Sequence, residues 1–334
     1  MSKKTRIIKK ARAELSGDAR PIAQAKGPAD VLAMIPYLVG FFPSESLVIV
    51  AIEGPRQRLG PCVRTDLADA DDAVAQAEYL ASVVSHHGFD PVIVVAYSED
   101  PDKAAAVVQP LQRRLRSQGV TILELLRADA RRWWSYQCAD RACCGPGGNP
   151  YDGDSSPLAA TAVLAGMAKA ASRDELRACF EPGDELLRAR VAECCAALQA
   201  VTGPPDINRL VHIALRARGQ LTVDQLAALA SGVQSIAARD VAWELMTRSN
   251  AAEHLHLWAQ VTRVAPDRLL PAVGSLAGFA AWLSGSGVLA SHAAERVERV
   301  HPTYSMNRLL LRCLKLGVNP QEWEDSRGRL RVVR

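Results

Sequence analysis

Three cysteines lie close together in segment 131–148, which reads RRWWSYQCADRACCGPGG. Cys138, Cys143 and Cys144 place three thiols within seven residues, and thiolates are strong ligands for zinc. The segment has neither the Cys-x-x-Cys pair nor the neighbouring histidine that is typical of structural zinc sites. Three interpretations stay open: a zinc site completed by a further ligand, a reactive thiol activated by nearby arginines, and buried cysteines that only fill space.

Arginine and aromatic residues alternate just before these cysteines. If the segment is a strand, Arg132, Trp134 and Tyr136 share one face, because side chains alternate between faces along a strand. Arginine beside aromatic rings can stack on a base or a nucleotide, so this face is a candidate ligand-binding platform. The alternative is that these side chains only cover the sheet.

Arg64 and Asp66 form a second candidate binding pair. They lie at the end of a predicted strand, where open sheets with parallel strands bind their ligands. A surface ion pair is the alternative interpretation. The chain contains no G-x-S-x-G, H-E-x-x-H or P-loop sequence. Catalytic residues are therefore not identified, and the sequence leaves open whether the protein is an enzyme.

Strand and helix patterns alternate in the first half of the chain. The strands and helices that they predict would hold the candidate site residues in place. Helices are expected after Gly27, over 71–85, and from a cap at 98–102 to about residue 117. Continuous apolar runs predict buried strands at 47–52, 91–97 and 121–126, with an antiparallel strand at 61–67. This order predicts a mixed, partly parallel sheet with helices on its faces.

Only helical spacing is evident after residue 151. Helices are predicted near 155–170, 184–201, 205–218, 222–234, 238–248, 252–264, 267–283, 287–299 and 304–316. The motif Val-x-Arg-Val-x-Pro occurs at 261–266 and again 36 residues later at 297–302, a period typical of helical repeats. The expected fold is an α/β N-terminal domain followed by an all-α domain, with a repeat-like arrangement and an irregular bundle as alternatives.

The domains are expected at 28–150, ending in the cysteine-rich loop, and at 151–320. A basic arm, 1–27, and a basic tail, 321–334, flank them. Residues 1–12 and 327–334 carry ten basic and no acidic residues, so the rest of the chain has 30 basic against 36 acidic residues. Basic ends on an acidic body suit an anionic partner such as nucleic acid, although they could also serve solubility alone. The cationic residues of the two ends are Lys3, Lys4, Arg6, Lys9, Lys10, Arg12, Arg327, Arg329, Arg331 and Arg334.

Length, composition and the distribution of apolar residues indicate the number of domains and the location of the protein. A chain of 334 residues with 49% hydrophobic residues suits about two domains with sizeable cores. The longest apolar stretch, 31–42, contains Pro36 and is too short to span a bilayer, so no membrane partner is expected. No apolar run follows the basic N-terminus as it would in a secretory signal. A cytoplasmic location with reduced cysteines is therefore expected.

Several of these segments together resemble a large actinobacterial family of uncharacterised proteins, a domain of unknown function. The segment 132–138, Arg-Trp-Trp-Ser-Tyr-x-Cys, with Cys143 and Cys144, carries most of the resemblance. The other matching segments are Pro36 to Phe41 with Pro43, Ser46 to Val50, Arg64-x-Asp66-Leu67, Ser172 to Leu176, and Trp282 to Gly287. The resemblance implies one fold over most of the chain and a bacterial cytosolic setting. It implies no activity.

Three functions remain open at this point. An interaction or scaffold protein with a ligand-binding-like α/β domain is favoured, because helices dominate the second half and catalytic motifs are absent. Its partner is then expected to be a protein. A small-ligand or nucleotide-binding enzyme that acts near the cysteine-rich loop is the first alternative. A protein that binds nucleic acid through its basic ends is the second.

Overall fold

The computed structural model describes residues 25–55, 57–140, 144–164, 167–199, 205–217 and 219–331. Contacts divide the chain into two compact units, with the boundary between Ala170 and Ala171. The first unit contains a sheet with helices, and the second contains helices.

Six strands form one sheet in the first unit. Its spatial order is β2-β1-β3-β4-β5-β6, and every neighbouring pair is antiparallel except β3 with β4, which are parallel. The mixed, partly parallel sheet is therefore confirmed. The strands are β1 (Ser46–Glu53), β2 (Arg58–Asp66), β3 (Val92–Tyr97), β4 (Ile122–Ala128), β5 (Arg132–Ser135) and β6 (Asn149–Pro150).

Both faces of the central strands are covered, which explains their continuous apolar sequences. Leu47 and Ile49 of β1 share one core with residues of two helices that follow β2 and β3 in the chain. Val48, which points the other way, is just as buried. The helices of this unit are α1 (Pro28–Val39), α2 (Ala73–His86), α3 (Pro101–Ser117) and α4 (Pro157–Leu164). Helix α3 is the crossover between the two parallel strands, and α1 packs on α4 and β2.

The second unit is helical, and its described residues form no strand. This confirms the all-α expectation. Its helices are α5 (Arg173–Ala178), α6 (Glu185–Gln199), α7 (Ile207–Arg216), α8 (Val223–Gly232), α9 (Ile236–Glu244), α10 (Ala251–Val264), α11 (Leu270–Leu283), α12 (Gly287–Val300), α13 (Ser305–Lys315) and α14 (Pro320–Arg331). The last helix lies where only a basic tail was expected.

Helix α11 is the centre of the helical unit, because every one of its residues is buried. Its glycines allow close packing: a Cβ on Gly274 would lie 2.5 Å from Val297, and one on Gly278 would lie 2.5 Å from Leu310. The two similar motifs end α10 and α12, which both pack against α11. Within the described residues, no helix combines the length and apolar character needed to cross a bilayer.

Candidate functional site

Arg64 and Asp66 lie at the edge of the sheet where β3 and β4 end. The register pairs Ser46 with both Asp66 and Tyr97, and Tyr97 with Ala128. The start of β1 therefore lies beside the ends of β2, β3 and β4. This is the edge at which sheets with parallel strands place ligands.

Arg64 already has partners within the fold. Its Nη2 donates a hydrogen bond of 2.8 Å to Ser46 Oγ and also pairs with Asp66 Oδ1. Its guanidinium lies 5.5 Å from the centre of the Phe41 ring, and its side chain is only 10% exposed. This arginine therefore fixes β2 to β1, and the carboxylate beside it is the more accessible group of the pair.

A polar network that the sequence did not predict lies at the same edge. Ser98 Oγ donates 2.8 Å to Glu45 Oε1, while Lys103 Nζ lies 3.2 Å from both Glu45 Oε2 and Asp69 Oδ1. Hydrogen bonds to Glu45 and then Asp69 raise the pKa of Lys103. Glu45 has a φ of 41°, which is uncommon for a residue other than glycine. All four groups have partners, so the network supports the structure of this edge.

The predicted platform residues Arg132 and Trp134 are hydrogen-bonded to the chain's own loop. Arg132 Nη1 donates 2.7 Å to Gly147 O, and Trp134 Nε1 donates 3.1 Å to Pro146 O. The Arg127 guanidinium lies 3.5 Å from the centre of the Trp134 ring. The stacking that was predicted for a ligand is thus made by an arginine of β4.

Tyr136, the third platform residue, lies against the core between the sheet and its helices. Its hydroxyl is buried and has no hydrogen-bond partner among the described residues. Burial raises the pKa of this hydroxyl, although Arg127 opposes the shift. Tyr136 is therefore a packing residue more than a surface for stacking.

The cysteine-rich loop is described in part, because Cys143 lies outside the described residues. Cys138 Sγ lies 3.9 Å from Asp140 O, and Asn149 Nδ2 lies 3.8 Å from Cys144 Sγ. Within the ranges that the structure describes, no group of three or more His, Cys, Asp or Glu residues could hold a metal ion. The zinc site stays a prediction, since one of its three thiols is not included.

The basic ends also fall largely outside the described residues, which begin at residue 25. Helix α14 continues to Arg331, so Arg327, Arg329 and Arg331 are part of a helix. Arg334 lies beyond it. Binding of an anionic partner by these ends stays a prediction.

A cleft of about 370 Å³ lies within the helical unit. Helices α5 and α12 pack on each other there. The buried residues of α12 include small ones such as Ala290 and Ala293, together with His292 and Arg296. The cleft is lined by Arg177, Glu181, His292, Glu295, Glu298 and Arg299. With His292 neutral, three carboxylates and two guanidiniums give the lining a net charge of about −1.

His292 is the buried member of this lining. Its side chain is 0% exposed, and its Nδ1 lies 3.4 Å from Glu295 Oε2. Burial lowers its pKa, Arg173 and Arg177 lower it further, and Glu295 opposes the shift. The ring is therefore neutral near pH 7. A proton on Nδ1 suits the neighbouring carboxylate and leaves a lone pair on Nε2, which has no hydrogen-bond partner among the described residues.

The other lining residues differ in how strongly they are paired. Arg299 and Glu181 form an ion pair at 2.6 Å. Among the described residues, the Arg177 guanidinium has one ion-pair contact, a long one of 3.9 Å with Asp174. Glu298 has no hydrogen bond or ion pair within the described part of the chain, and its side chain is exposed. One guanidinium and one carboxylate are therefore accessible in the cleft, whereas the His292 side chain is enclosed.

The sequence contains a signal for this cleft that did not enter the predictions. His292, Glu295, Arg296 and Arg299 follow the spacing i, i+3, i+4, i+7, so they share one face of α12. Charged residues at this spacing usually mark a solvated face, yet Arg296 is only 4% exposed. Its Nη1 has no partner among the described residues, and burial lowers its pKa to about 10.

Comparison with known proteins gives a family and no activity. A family model described as "Domain of unknown function (DUF4192)" matches residues 28–321. No curated protein and no solved structure matches the chain significantly.

Proposed function

The chain belongs to the DUF4192 family of domains of unknown function, and we propose that it is a cytoplasmic binding protein for a small polar molecule, held in the cleft beside α12. The observation that carries this proposal is that two charged residues of the lining, Arg177 and Glu298, are exposed. Within the described residues, Arg177 has a long contact of 3.9 Å with Asp174, and Glu298 has no hydrogen bond or ion pair. A bound molecule can therefore pair with either group, and a hydrogen bond to a charged group contributes about 1.5–3 kcal/mol.

The size and lining of the cleft support the same function. Its volume of about 370 Å³ is within the range of small-molecule sites. All six lining residues are charged or titratable. Such a lining suits a polar molecule.

Ligand screening by thermal unfolding tests this function. A panel of small polar metabolites is added one at a time to the purified full chain. At least one compound should raise the melting temperature, because a ligand that binds only the folded state stabilises it. The shift should become smaller in Arg177→Gln and in Glu298→Gln, and both variants should fold like wild type because both side chains are exposed.

Glu253→Gln is the matched control for this screen. Glu253 is also an exposed carboxylate on a helix of the same unit, but it does not line the cleft. Its replacement should leave the ligand-induced shift in place. The proposed function is wrong if no compound stabilises the protein, or if every shift survives both Arg177→Gln and Glu298→Gln.

The functions favoured by the sequence remain separate proposals. Binding of a protein partner by the helical unit is supported by large apolar side chains that stay exposed, such as Leu186 and Ile236. Replacing each with aspartate should weaken capture of such a partner without changing stability. A ligand-binding enzyme near the cysteine-rich loop has weaker support, because Arg132 and Trp134 bind the loop itself.

A further inference from the structure

We infer that helix α14 is a displaceable latch over a docking site for a helix of a partner protein. The site is an aromatic groove formed by Trp243 of α9 with Phe279 and Trp282 of α11. The partner helix that fits it carries a tryptophan followed by an acidic residue, as α14 does at Trp323 and Glu324. The inference is independent of the cleft beside α12 and of its ligand.

The aromatic groove is built by rings that contact each other without α14. The ring centre of Phe279 lies 4.9 Å from that of Trp243 and 5.9 Å from that of Trp282. Phe279 and Trp282 belong to α11, which is buried along its whole length. The groove should therefore keep its shape when α14 leaves, and it would then expose an apolar patch of the kind that marks protein interaction sites.

Trp323 is the anchor of α14 in this groove. Its ring stacks on that of Trp243, with 5.4 Å between the ring centres and 26° between the planes. It meets the Trp282 ring edge-on at 5.9 Å, and the Phe279 ring centre is 6.2 Å away. Tryptophans in such pockets dominate the affinity of many protein interfaces. A tryptophan of a partner helix would make the same contacts.

Arg248 adds polar contacts beside the groove. This exposed residue lies between α9 and α10. Its backbone N–H donates 3.1 Å to Glu324 Oε1, and its Nη1 donates to Gln321 Oε1. A cationic residue at the rim of the groove favours a helix that has an acidic residue next to its aromatic anchor.

Few contacts hold α14 in place. Among its described side chains, Trp323 is the one that packs against the core of the helical unit. The hydrogen bonds to Arg248 are exposed to solvent. Segments with few buried apolar contacts open at low free energy, so α14 should leave the groove while the rest of the unit stays folded.

Helix α13 is closed before α14 begins. The N–H of Gly317 donates 3.1 Å to Leu314 O, and Gly317 has a φ of +63°. The N–H of Val318 donates 3.0 Å to Cys313 O. Together these bonds form the Schellman motif that ends a helix. Rotation at the exposed Asn319 can therefore move α14 without breaking the end of α13.

Hydrogen exchange of the full chain tests the latch. The backbone amides of α14 should exchange at least about a hundredfold faster than those of α11, because α14 opens without global unfolding. Mass spectrometry of fragments from both helices measures these rates. Equal protection of the two helices would overturn the inference.

Binding of a labelled peptide with the sequence of residues 318–331 tests the docking site. The full chain with Trp323→Ala lacks its own anchor, so it should bind the peptide at least about tenfold more tightly than wild type, in which α14 competes. A peptide with Trp323→Ala should not bind. A peptide with Glu324→Ala should bind about two- to tenfold more weakly, the value of one hydrogen bond. Fluorescence anisotropy measures these affinities.

Glu322→Ala in the full chain is the matched control. Glu322 is exposed on the same helix and has no hydrogen bond or ion pair within the described part of the chain. This variant keeps its anchor, so it should bind the peptide as weakly as wild type.

The other outcomes each overturn part of the inference. Peptide binding that is equal in wild type and Trp323→Ala, or absent from both, would rule out the docking site. A Trp323→Ala chain that does not fold would show that α14 is part of the core and is not a latch. A wild-type dimer that Trp323→Ala abolishes, seen by light scattering, would assign the groove to a second copy of this chain.

Discussion

The guanidinium carbon of Arg127 lies 3.5 Å from the centre of the Trp134 indole ring. Arg127 also donates 3.1 Å to Ser98 O, and the indole Nε1 donates to Pro146 O. The stacked pair thus links the end of β3, strand β4, strand β5 and the loop before β6. An arginine stacked on a ring is a motif of ligand recognition, but in this protein it holds the fold together.

Gly148→Ala should destabilise the protein by about 1–3 kcal/mol, the usual cost of overpacking or of a strained backbone. A Cβ at this position would lie 2.7 Å from Trp134 Cζ2 and from its Nε1, and the glycine has a φ of +70°. The close contact with Trp134 and the positive φ both disfavour a residue with a side chain at position 148. The cost is measured as the change in free energy of unfolding in urea.

Gly147→Ala is the matched control for this substitution. Nothing lies within 4 Å of a Cβ at Gly147. The neighbouring variant should therefore unfold like wild type. Equal stability of the two variants would show that the contact between the loop and Trp134 is unimportant.

Most of the fold could be predicted, because strong local patterns decide it. The apolar run of β1 is continuous since both faces of that strand are covered, and such runs are easy to recognise. Helix α14 could not be predicted in the same way. Its sequence is mostly polar, and Trp323 is its one aromatic residue. The ring centre of Trp323 lies 5.4 Å from that of Trp243 and 5.9 Å from that of Trp282. One aromatic residue gives no helical period.

The site was harder to predict than the fold. The position of Arg64 at the sheet edge could be inferred from the end of a strand. Its partner Ser46 could not, because that contact depends on strand register. No pattern in the sequence predicts that His292 is buried, and only the packing of α12 shows it.

Trp258→Ala should cost about 3–5 kcal/mol of unfolding free energy, the range for removal of a large buried aromatic side chain. Trp258 is 0% exposed and belongs to the core of the helical unit. Trp258→Phe should cost much less, because the indole Nε1 has no partner among the described residues to lose. Urea unfolding followed by far-UV circular dichroism measures both variants.

Leu186→Ala provides the comparison for the tryptophan variants. Leu186 is 72% exposed, so its truncation should change the unfolding free energy little. A Trp258→Ala variant as stable as Leu186→Ala would contradict the assignment of Trp258 to the core.

Deletion of residues 1–12 and 327–334 should abolish any binding of the protein to nucleic acid. These two segments carry ten cationic and no acidic residues. If they bind phosphates, the affinity of the full chain for duplex DNA should fall steeply with salt, because neutralised phosphates release counter-ions. Fluorescence anisotropy at several salt concentrations measures this slope. Affinity that survives the double deletion would rule out binding through the ends.

Acid should destabilise the helical unit through His254. This side chain is fully buried, neither ring nitrogen has a partner among the described residues, and burial, reinforced by His212, lowers its pKa to about 4. In the unfolded chain the pKa of a histidine is about 6.5. The unfolded state therefore binds a proton between about pH 6.5 and 4 that the folded state does not bind, so stability falls as the pH falls through this window.

Protonation of His254 should lower the free energy of unfolding by about 3 kcal/mol below about pH 4. Above about pH 6.5 it should lower this free energy by nothing, because the histidine is neutral in both states. His254→Leu removes the titrating group and keeps the site filled, so it should match or exceed wild-type stability at pH 7, because a buried polar group without partners is lost. Its stability should also fall less between about pH 6.5 and 4. Urea unfolding of both proteins at about pH 7, 5.5 and 4.5 measures this difference. Parallel pH profiles would mean that His254 is protonated as readily in the folded protein as in the unfolded chain.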